Sequence, residues 1–528
     1  MTTSTDLART VVTALLQAGV TDVVIAPGSR NAPLSFAVFD AAGAGALRLH
    51  TRIDERTAAF LALGLAKVSG RPAAVICTSG TAVANFHPAA LEAAHSGVPL
   101  VLVTADRPAS LRGTSANQTT DQVRIIPGLD FLDVAEPDQR EEIGEHLTAL
   151  DMPLHLNVQL ADPLVPAESW QVPVIVRQDR RREHHHEVEI PHGPRTVVVA
   201  GDDAGPAARV LAQRGQWPLF AEPTSGSRTG THALRTYRLL LDGDLGARIE
   251  RVVVAGHPTL SRPISRLLAC EDVEIWDMED RGLWRERPFA VDHAVARATT
   301  AESIDTSWFD QWVAADRSVG RQLDALLRSE ADLTPYAVAG AVSRAVPPEG
   351  MLWVGASSPI RDLDLMVARY DVGDRRKVIA NRGLAGIDGT ISSAIGATLG
   401  RPRTSRALAL MGDVTFLHDT TGLILGPAEP RPDLTIVVVN DNGGAIFSML
   451  EQGAPEYAES YDALFGTPHD VDIASLCAAT RTPHLRVTTL PELEQALATP
   501  NGGIEVVEAV VRRDNRRELD ARIRALRA

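Results

Sequence analysis

One local pattern recurs along this 528-residue chain: a short apolar run rich in Val, Ile, Leu and Ala, a loop of small or polar residues, then apolar residues at helical spacing. Thr21 to Ala26 runs into Pro27-Gly28-Ser29. Ala73 to Cys77 runs into Thr78-Ser79-Gly80-Thr81, with a helix predicted over 82–94. Pro99 to Thr104 runs into Ala105-Asp106-Arg107-Pro108. The alternation returns near the other end. Met351 to Val354 leads into Gly355-Ala356-Ser357-Ser358, Arg406 to Met411 into Gly412-Asp413, and Leu434 to Val439 into Asn440-Asp441-Asn442, with Ile504 to Val511 as a last apolar strand. Strands this apolar, each followed by a helix, need both faces covered, so the chain should be α/β, with parallel sheets flanked by helices. Polar loops at strand C-termini are where such sheets place ligands.

The length implies about two to four domains. Boundaries fall at 1–180, 195–330 and 335–528. The charged, Pro- and Gly-containing stretch 177–194 separates the first two blocks, and Thr196 to Ala200 and Arg251 to Ala255 read as strands of the second. His184, His185 and His186 are consecutive and do not converge as metal ligands on an ordinary backbone, so they read as solvated linker. Gly201-Asp202-Asp203-Ala204-Gly205 has the wrong spacing for a nucleotide fingerprint and reads as a turn. Arg281, Arg285 and Arg287, around Gly282 and Trp284, read as solvent-facing rather than as an anion site. The first and third blocks share a general plan without a strong sequence repeat.

Hydrophobic residues make up 45% of the chain and aromatics only 4%, which favours helices packed on parallel sheets over an all-β architecture. The formal net charge of −15 opposes a general nucleic-acid surface. Cys77, Cys270 and Cys477 lie far apart and form neither a disulfide framework nor a paired zinc motif; buried thiols in a reducing cytoplasm are expected. The first residues lack the basic flank and long apolar core of a signal peptide, and no long clean apolar run follows. The chain is expected to be cytoplasmic, without integral membrane association.

Asp413 follows an apolar strand and precedes a helix, which suits a carboxylate that binds a hard cation. The next strand returns the chain to Asn440-Asp441-Asn442-Gly443-Gly444, where a side-chain oxygen and a later carbonyl can complete a metal shell and the glycines allow close approach to phosphate. Together these read as a metal–diphosphate clamp. Glu55 opens a helix after the polar segment His50-Thr51-Arg52-Ile53-Asp54.

The clamp resembles the diphosphate signature of thiamine diphosphate enzymes, commonly written GDG followed later by NN. Val414 and the pair Asn440-Asp441 depart from that pattern, and Asp441 adds a negative charge. A closer resemblance runs through APGSRNAPL at 26–34, RIDERTAAF at 52–60, TSGTAVANFHPA at 78–89, LVTADRPASLRGTSANQT at 102–119, ASSPIRDLD at 356–364, NRGLAGIDGTISSAIG at 381–396 and NDNGGAIFSML at 440–450. In this order they resemble the menaquinone-pathway 2-succinyl-5-enolpyruvyl-6-hydroxy-3-cyclohexene-1-carboxylate synthases, over nearly the whole chain, with the middle block least distinctive.

The resemblance implies a three-domain thiamine diphosphate-dependent enzyme fold. It also implies a reaction: decarboxylation of 2-oxoglutarate, then 1,4-addition of the succinyl semialdehyde carbanion equivalent to isochorismate. Thiamine diphosphate and Mg²⁺ or Mn²⁺ would be the cofactors. Glu55 would activate the aminopyrimidine ring. Ser79, Gly80, Thr81, Ile387, Gly412, Asp413, Asp441, Gly443 and Phe447 would hold the cofactor, with Ile387 propping its bent shape. Asp413, Asp441 and the Gly443 carbonyl would bind the metal. Ser29, Arg30, Arg107, Asn117, Gln118, Arg262, Ser357, Arg361 and Arg382 would face substrate. Among them, Arg30, Arg107 and Gln118 would take the isochorismate part, and Arg361 and Arg382 the oxoglutarate carboxylate, since arginine forks suit carboxylates. Related enzymes place the cofactor between subunits, which implies a homodimer or homotetramer. Another thiamine diphosphate-dependent 2-oxo acid decarboxylase or carboligase, or a noncatalytic relative, is the alternative.

Overall fold

A computed structural model describes residues 4–148, 150, 152–177, 186–278, 281–283, 286–367 and 369–528. His184, His185, Trp284 and Arg285, which belong to the linker and basic-cluster readings, lie outside them.

The strands are β1 (Asp22–Ile25), β2 (Arg48–Thr51), β3 (Ala73–Cys77), β4 (Leu100–Asp106), β5 (Asp130–Val134), β6 (Leu154–Gln159), β7 (Glu187–Glu189), β8 (Thr196–Ala200), β9 (Leu219–Ala221), β10 (Arg251–Ala255), β11 (Glu274–Met278), β12 (His293–Val295), β13 (Arg297–Thr299), β14 (Met351–Val354), β15 (Lys377–Ile379), β16 (Ala407–Gly412), β17 (Leu434–Asn440), β18 (His484–Val487) and β19 (Ile504–Val510). Three parallel sheets form, in the orders β2-β1-β3-β4-β6-β5, β12-β11-β10-β8-β9 and β15-β14-β16-β17-β19-β18, and β7 pairs with β13. The first and third orders are the same when each sheet is numbered from its own first strand. The two sheets therefore share a topology that side-chain identity does not reveal. The loops after β1, β3 and β4 correspond to those after β14, β16 and β17.

Two compact units result. One gathers Met1–Glu183, Asn381–Pro402 and His418–Pro432; the other gathers His184–Ala380, Arg403–Leu417 and Asp433–Ala528. In the first unit, the helix Ser4–Gln17 buries Leu7, Val11 and Leu15 in a core shared with Val23, Ile76 and Val103 of the sheet. The helix Glu55–Ser69 crosses the helix Thr390–Gly400 at van der Waals distance. A Cβ on Gly64 would collide with the Ser393 carbonyl oxygen, and one on Gly396 with that of Leu61. In the second unit, the helix Ser307–Arg328 buries Trp312, Val319 and Leu323 in the core beside the middle sheet. Among the described residues no helix is long and apolar enough to cross a membrane.

The apolar strands lie within a residue or two of their expected places. β2 does not read as a strand from sequence: His50-Thr51 looks like polar loop, yet it pairs with β1 at the sheet edge. Only His50 of its four residues is buried, so there is no apolar run to see. The helix expected over 82–94 is two helices, Thr81–Asn85 and His87–His95. Pro88 lacks the N–H that a continuous helix would use there. Cys77 and Cys477 are buried as expected, but Cys270 is exposed. Arg287 is not solvent-facing. Its side chain is 8% exposed, pairs with Asp277 at 2.9 Å and donates to the Gly256 carbonyl. Arg281 is exposed beside Asp203.

Candidate active site

In the first unit, three expected substrate and cofactor residues come together at the ends of β3 and β4. Ser79 Oγ donates to the Gln118 carbonyl at 2.8 Å. Arg107 Nη1 donates to that same carbonyl at 2.8 Å and to Ser79 Oγ at 3.0 Å, and Gln118 Nε2 donates back to the Ser79 carbonyl. Gln118 has φ +54°, sterically costly for a residue with a side chain, and the surrounding bonds hold it there. Gly80, also at positive φ, passes its N–H to the buried Gln122 Oε1 and leads into Thr81 at the head of a short helix. Arg107 is anchored from below: its N–H meets Asp106 Oδ1, while Asp106 Oδ2 accepts from Asn157 and Arg112. Ser29 and Asn117 are exposed. Arg30 reaches the Leu160 carbonyl at 3.1 Å and lies 3.9 Å from Asp162, and its buried Nε has no partner.

Glu55 is the first helical residue after Asp54, whose Oδ1 accepts from the N–H groups of Arg56 and Thr57. The Cys77 thiol at the end of β3 is pushed well up by burial, with the charge of Glu55 adding to it. Sequence reading missed what fixes this segment: Glu429. Its Oε1 accepts from the N–H and hydroxyl of Thr51, and its Oε2 from Arg52 at 3.0 Å. A second unforeseen carboxylate, Glu92, is buried and accepts from the N–H groups of Gly383 and Leu384. It thereby sets the loop that carries the buried Arg382 and, further on, Ile387, whose carbonyl accepts from Thr390. A cavity of about 480 Å³ beside this loop is lined by Phe60, His87, Glu92, Asn381, Leu384 and Asp388, among others.

In the second unit two of the expected clamp residues, Asp413 and Gly443, meet at the ends of β16 and β17. Asp413, buried after Gly412, accepts from the Val414 N–H through Oδ1 and from the Gly443 N–H, at 2.9 Å, through Oδ2. His469, which no sequence signal singled out, lies 3.0 Å from the same oxygen. Asn442 sits at φ +59° and Gly443 at φ +140°. Gly444 N–H meets the Gly466 carbonyl, and the Phe447 ring stands 5.9 Å from that of Phe465. Asp441 Oδ1 is buried without a partner, and its carboxyl is held well above the usual range by burial and by the charge of Asp413. A buried carboxylate beside a half-buried one with an orphaned oxygen is a donor set that fits a hard cation. Among the described residues no three His, Cys, Asp or Glu side chains group around a metal, so a third protein ligand would have to be of another kind, such as a backbone carbonyl.

At the end of β14, Ser357 has φ +71°, and Arg361 Nη1 donates to its carbonyl at 2.7 Å across the first turn of the helix Ser358–Met366. Arg262 does not converge with these groups. It pairs with Glu451 at 2.9 Å, both side chains exposed.

Residues 5–125 match the thiamine pyrophosphate enzyme N-terminal TPP binding domain, and residues 362–508 match the C-terminal TPP binding domain. A 2-succinyl-5-enolpyruvyl-6-hydroxy-3-cyclohexene-1-carboxylate synthase from Nocardioides sp. is 65% identical, over 99% of this chain and 98% of its own. The chain belongs to that synthase family. Synthases of the same name from Kineococcus radiotolerans and Paenarthrobacter aurescens are 42% and 43% identical, each over 99% of this chain and covered over 99% and 96% of their own lengths. The family's two matched regions hold β1 to β4 of the first sheet and β15 to β18 of the third. The family's cofactor is thiamine diphosphate.

Proposed function

We propose that this chain decarboxylates 2-oxoglutarate and adds the resulting succinyl semialdehyde carbanion equivalent to isochorismate in a 1,4 fashion, giving 2-succinyl-5-enolpyruvyl-6-hydroxy-3-cyclohexene-1-carboxylate. The observation that carries this reading is the 65% identity to a synthase of that product across 99% of the chain. Bound thiamine diphosphate supplies the electron sink that lets a 2-oxo acid lose CO₂ and leaves a carbon nucleophile.

The residues take the following roles. Glu55, held at its helix start by the Asp54 cap, hydrogen-bonds the aminopyrimidine ring and moves its proton. Asp413, Asp441 and the Gly443 carbonyl would hold Mg²⁺ or Mn²⁺, which would supply positive charge between the carboxylates and the diphosphate. Ser79, Gly80, Thr81, Gly412 and Phe447 line the cofactor, and Ile387 props it. Arg30, Arg107, Asn117, Gln118 and Ser29 receive the isochorismate-derived part. Ser357, Arg361 and Arg382 receive the oxoglutarate-derived carboxylate, where planar guanidinium forks match a carboxylate. Arg262 remains an outer basic position that must leave Glu451 to meet substrate.

The domains of this reading are a pyrimidine domain at 1–180, a central domain at 195–330 and a diphosphate domain at 335–528. The working form is a homodimer or homotetramer with active sites built between subunits, in the cytoplasm.

A donor competition tests the assignment. With thiamine diphosphate and Mg²⁺ present, CO₂ release and product formation are followed with 2-oxoglutarate or pyruvate as donor and isochorismate as acceptor. Turnover restricted to 2-oxoglutarate is expected, because the arginine-bearing loops match a second carboxylate. Preference for pyruvate, with no product from isochorismate, would assign the chain to another 2-oxo acid decarboxylase.

A further inference from the structure

The middle sheet carries none of the clamp residues, yet one of its loops reaches the helix that bears Arg361. Asp364 is fully buried on that helix. Its Oδ1 accepts from Arg228 Nη1 at 2.6 Å and from the Tyr237 hydroxyl at 2.9 Å, and its Oδ2 lies 3.5 Å from Arg238 Nη1. Arg228 also donates to the Ala221 carbonyl at the end of β9 and to the Asp364 carbonyl. Arg238 Nη1 donates to the Arg361 carbonyl at 2.9 Å, and Arg361 Nη1 in turn donates to the Ser357 carbonyl at 2.7 Å. An unbroken chain of charged and hydrogen-bonded groups thus runs from the middle sheet to Ser357, whose φ of +71° is a strained conformation that its surroundings must hold.

We infer that Arg228, Tyr237, Arg238 and Asp364 form a positioning cluster through which the middle sheet sets Ser357 and Arg361 for the carboxylate of the 2-oxo acid donor. This rests on the proposed role of Arg361. Three features argue against mere packing. The cluster is ionic and buried, and burying charge is costly unless geometry is enforced. One of its bonds ends on the Arg361 carbonyl and another on the Asp364 carbonyl, so it grips the backbone of the helix that bears Arg361 as well as a side chain. Arg361 spends a donor on its own helix start, so the direction of its guanidinium follows the turn that Arg238 restrains. None of the four residues touches the reacting atoms; they act through Arg361.

The test uses the full-length enzyme loaded with thiamine diphosphate and Mg²⁺. Arg238→Met removes the bond to the Arg361 carbonyl. Tyr237→Phe removes one bond to Asp364 and keeps the ring, which stacks on Phe220 at 5.3 Å; it serves as the milder variant should Arg238→Met fold poorly. Arg238→Lys tests rescue, and Arg361→Ala is the control. KM for 2-oxoglutarate, KM for isochorismate, kcat and the inhibition constant of glutarate, a dicarboxylate without the ketone, are measured for each.

Arg238→Met should raise KM for 2-oxoglutarate and the inhibition constant of glutarate by about fivefold or more, as expected for one lost bond to a charged group, and leave KM for isochorismate within about twofold. Tyr237→Phe should shift the same two constants less, and Arg238→Lys should recover part of the loss. Equal changes for both substrates, or unchanged 2-oxoglutarate and glutarate constants while Arg361→Ala raises them, would overturn the inference and leave the role of Arg361 standing. Unchanged donor constants in Arg361→Ala would overturn it at its premise and remove that residue from the proposed site.

Discussion

Gly443 shows how much of the proposed clamp depends on a single atom. A Cβ at position 443 would collide with the Gly466 carbonyl oxygen, and the φ of +140° excludes an ordinary L side chain. Gly443→Ala should therefore weaken Mg²⁺ and thiamine diphosphate binding by about tenfold or more, measured by titration of the apo-protein, with less effect on the thermal midpoint. Asp419 offers a separate test by pH. Burial raises its carboxyl from the ordinary 3.8 to about 6, against the bond it accepts from the Ser392 N–H. Between those two values the folded state keeps a proton that the unfolded state has lost. Stability accordingly falls as pH rises through that window and stays lower above it. Asp419→Asn should raise stability at pH 7.5 by up to about 3 kcal/mol and change little at pH 4, read from denaturant midpoints at both pH values. Equal shifts at the two pH values would contradict this origin. Asp413, Gly443 and Arg107 were visible in the sequence because each follows an apolar strand within a few residues, whereas Gln118, well beyond the end of β4, was carried by the resemblance. Glu92, His469 and Asp364 were not visible. Each acts on a segment distant in sequence, and no local period marks such a pairing.

At the scale of elements, the segment from β2 into the helix Glu55–Ser69 is held by Glu429 as much as by its own sequence. Arg52 and Glu429 are both nearly buried, and Thr51 gives two further bonds to the same carboxylate. Removing one partner of such a pair leaves the other charge buried and alone. Glu429→Ala should cost about 3–5 kcal/mol of stability by urea denaturation, and Glu429→Gln less. A cost below about 1 kcal/mol would mean that the approach to Glu55 is set by its helix alone. The apolar strands were legible because burial on both faces leaves a continuous run of Val, Leu and Ala. β2 was hidden because an edge strand with one buried side chain has no such run. The break at Phe86 was signalled by Pro88 and passed over in favour of the apolar spacing on either side.

For the molecule as a whole, the shared strand order of the first and third sheets puts different residues on matching loops. The loop after β3 carries Ser79-Gly80-Thr81 and that after β16 carries Asp413; the loop after β4 carries Arg107 and that after β17 carries Asp441 and Gly443. The sequence showed two similar α/β blocks but not their common topology, because strand order is set by crossovers and not by side-chain identity. In the proposed assembly Glu55 of one subunit serves the clamp of another. Mixing Glu55→Gln and Asp413→Asn chains, each inactive alone, should then restore activity after subunit exchange, up to about a quarter of the wild-type value for randomly mixed dimers. No recovery in a mixture shown to contain hybrids would place Glu55 and the clamp of the same chain in one site.

The most direct test of the central claim is a mass-resolved coupling assay. Purified wild-type protein and Glu55→Gln, each with thiamine diphosphate, Mg²⁺ and isochorismate, receive 2-oxoglutarate labelled with ¹³C at C1. Wild type should release labelled CO₂ and form an unlabelled coupled product of the expected mass in equal amounts, and Glu55→Gln should do neither at a comparable rate. Labelled CO₂ without coupled product would contradict isochorismate as the acceptor. Neither signal from wild type, with cofactor bound and the oligomer assembled, would contradict the proposed synthase activity itself.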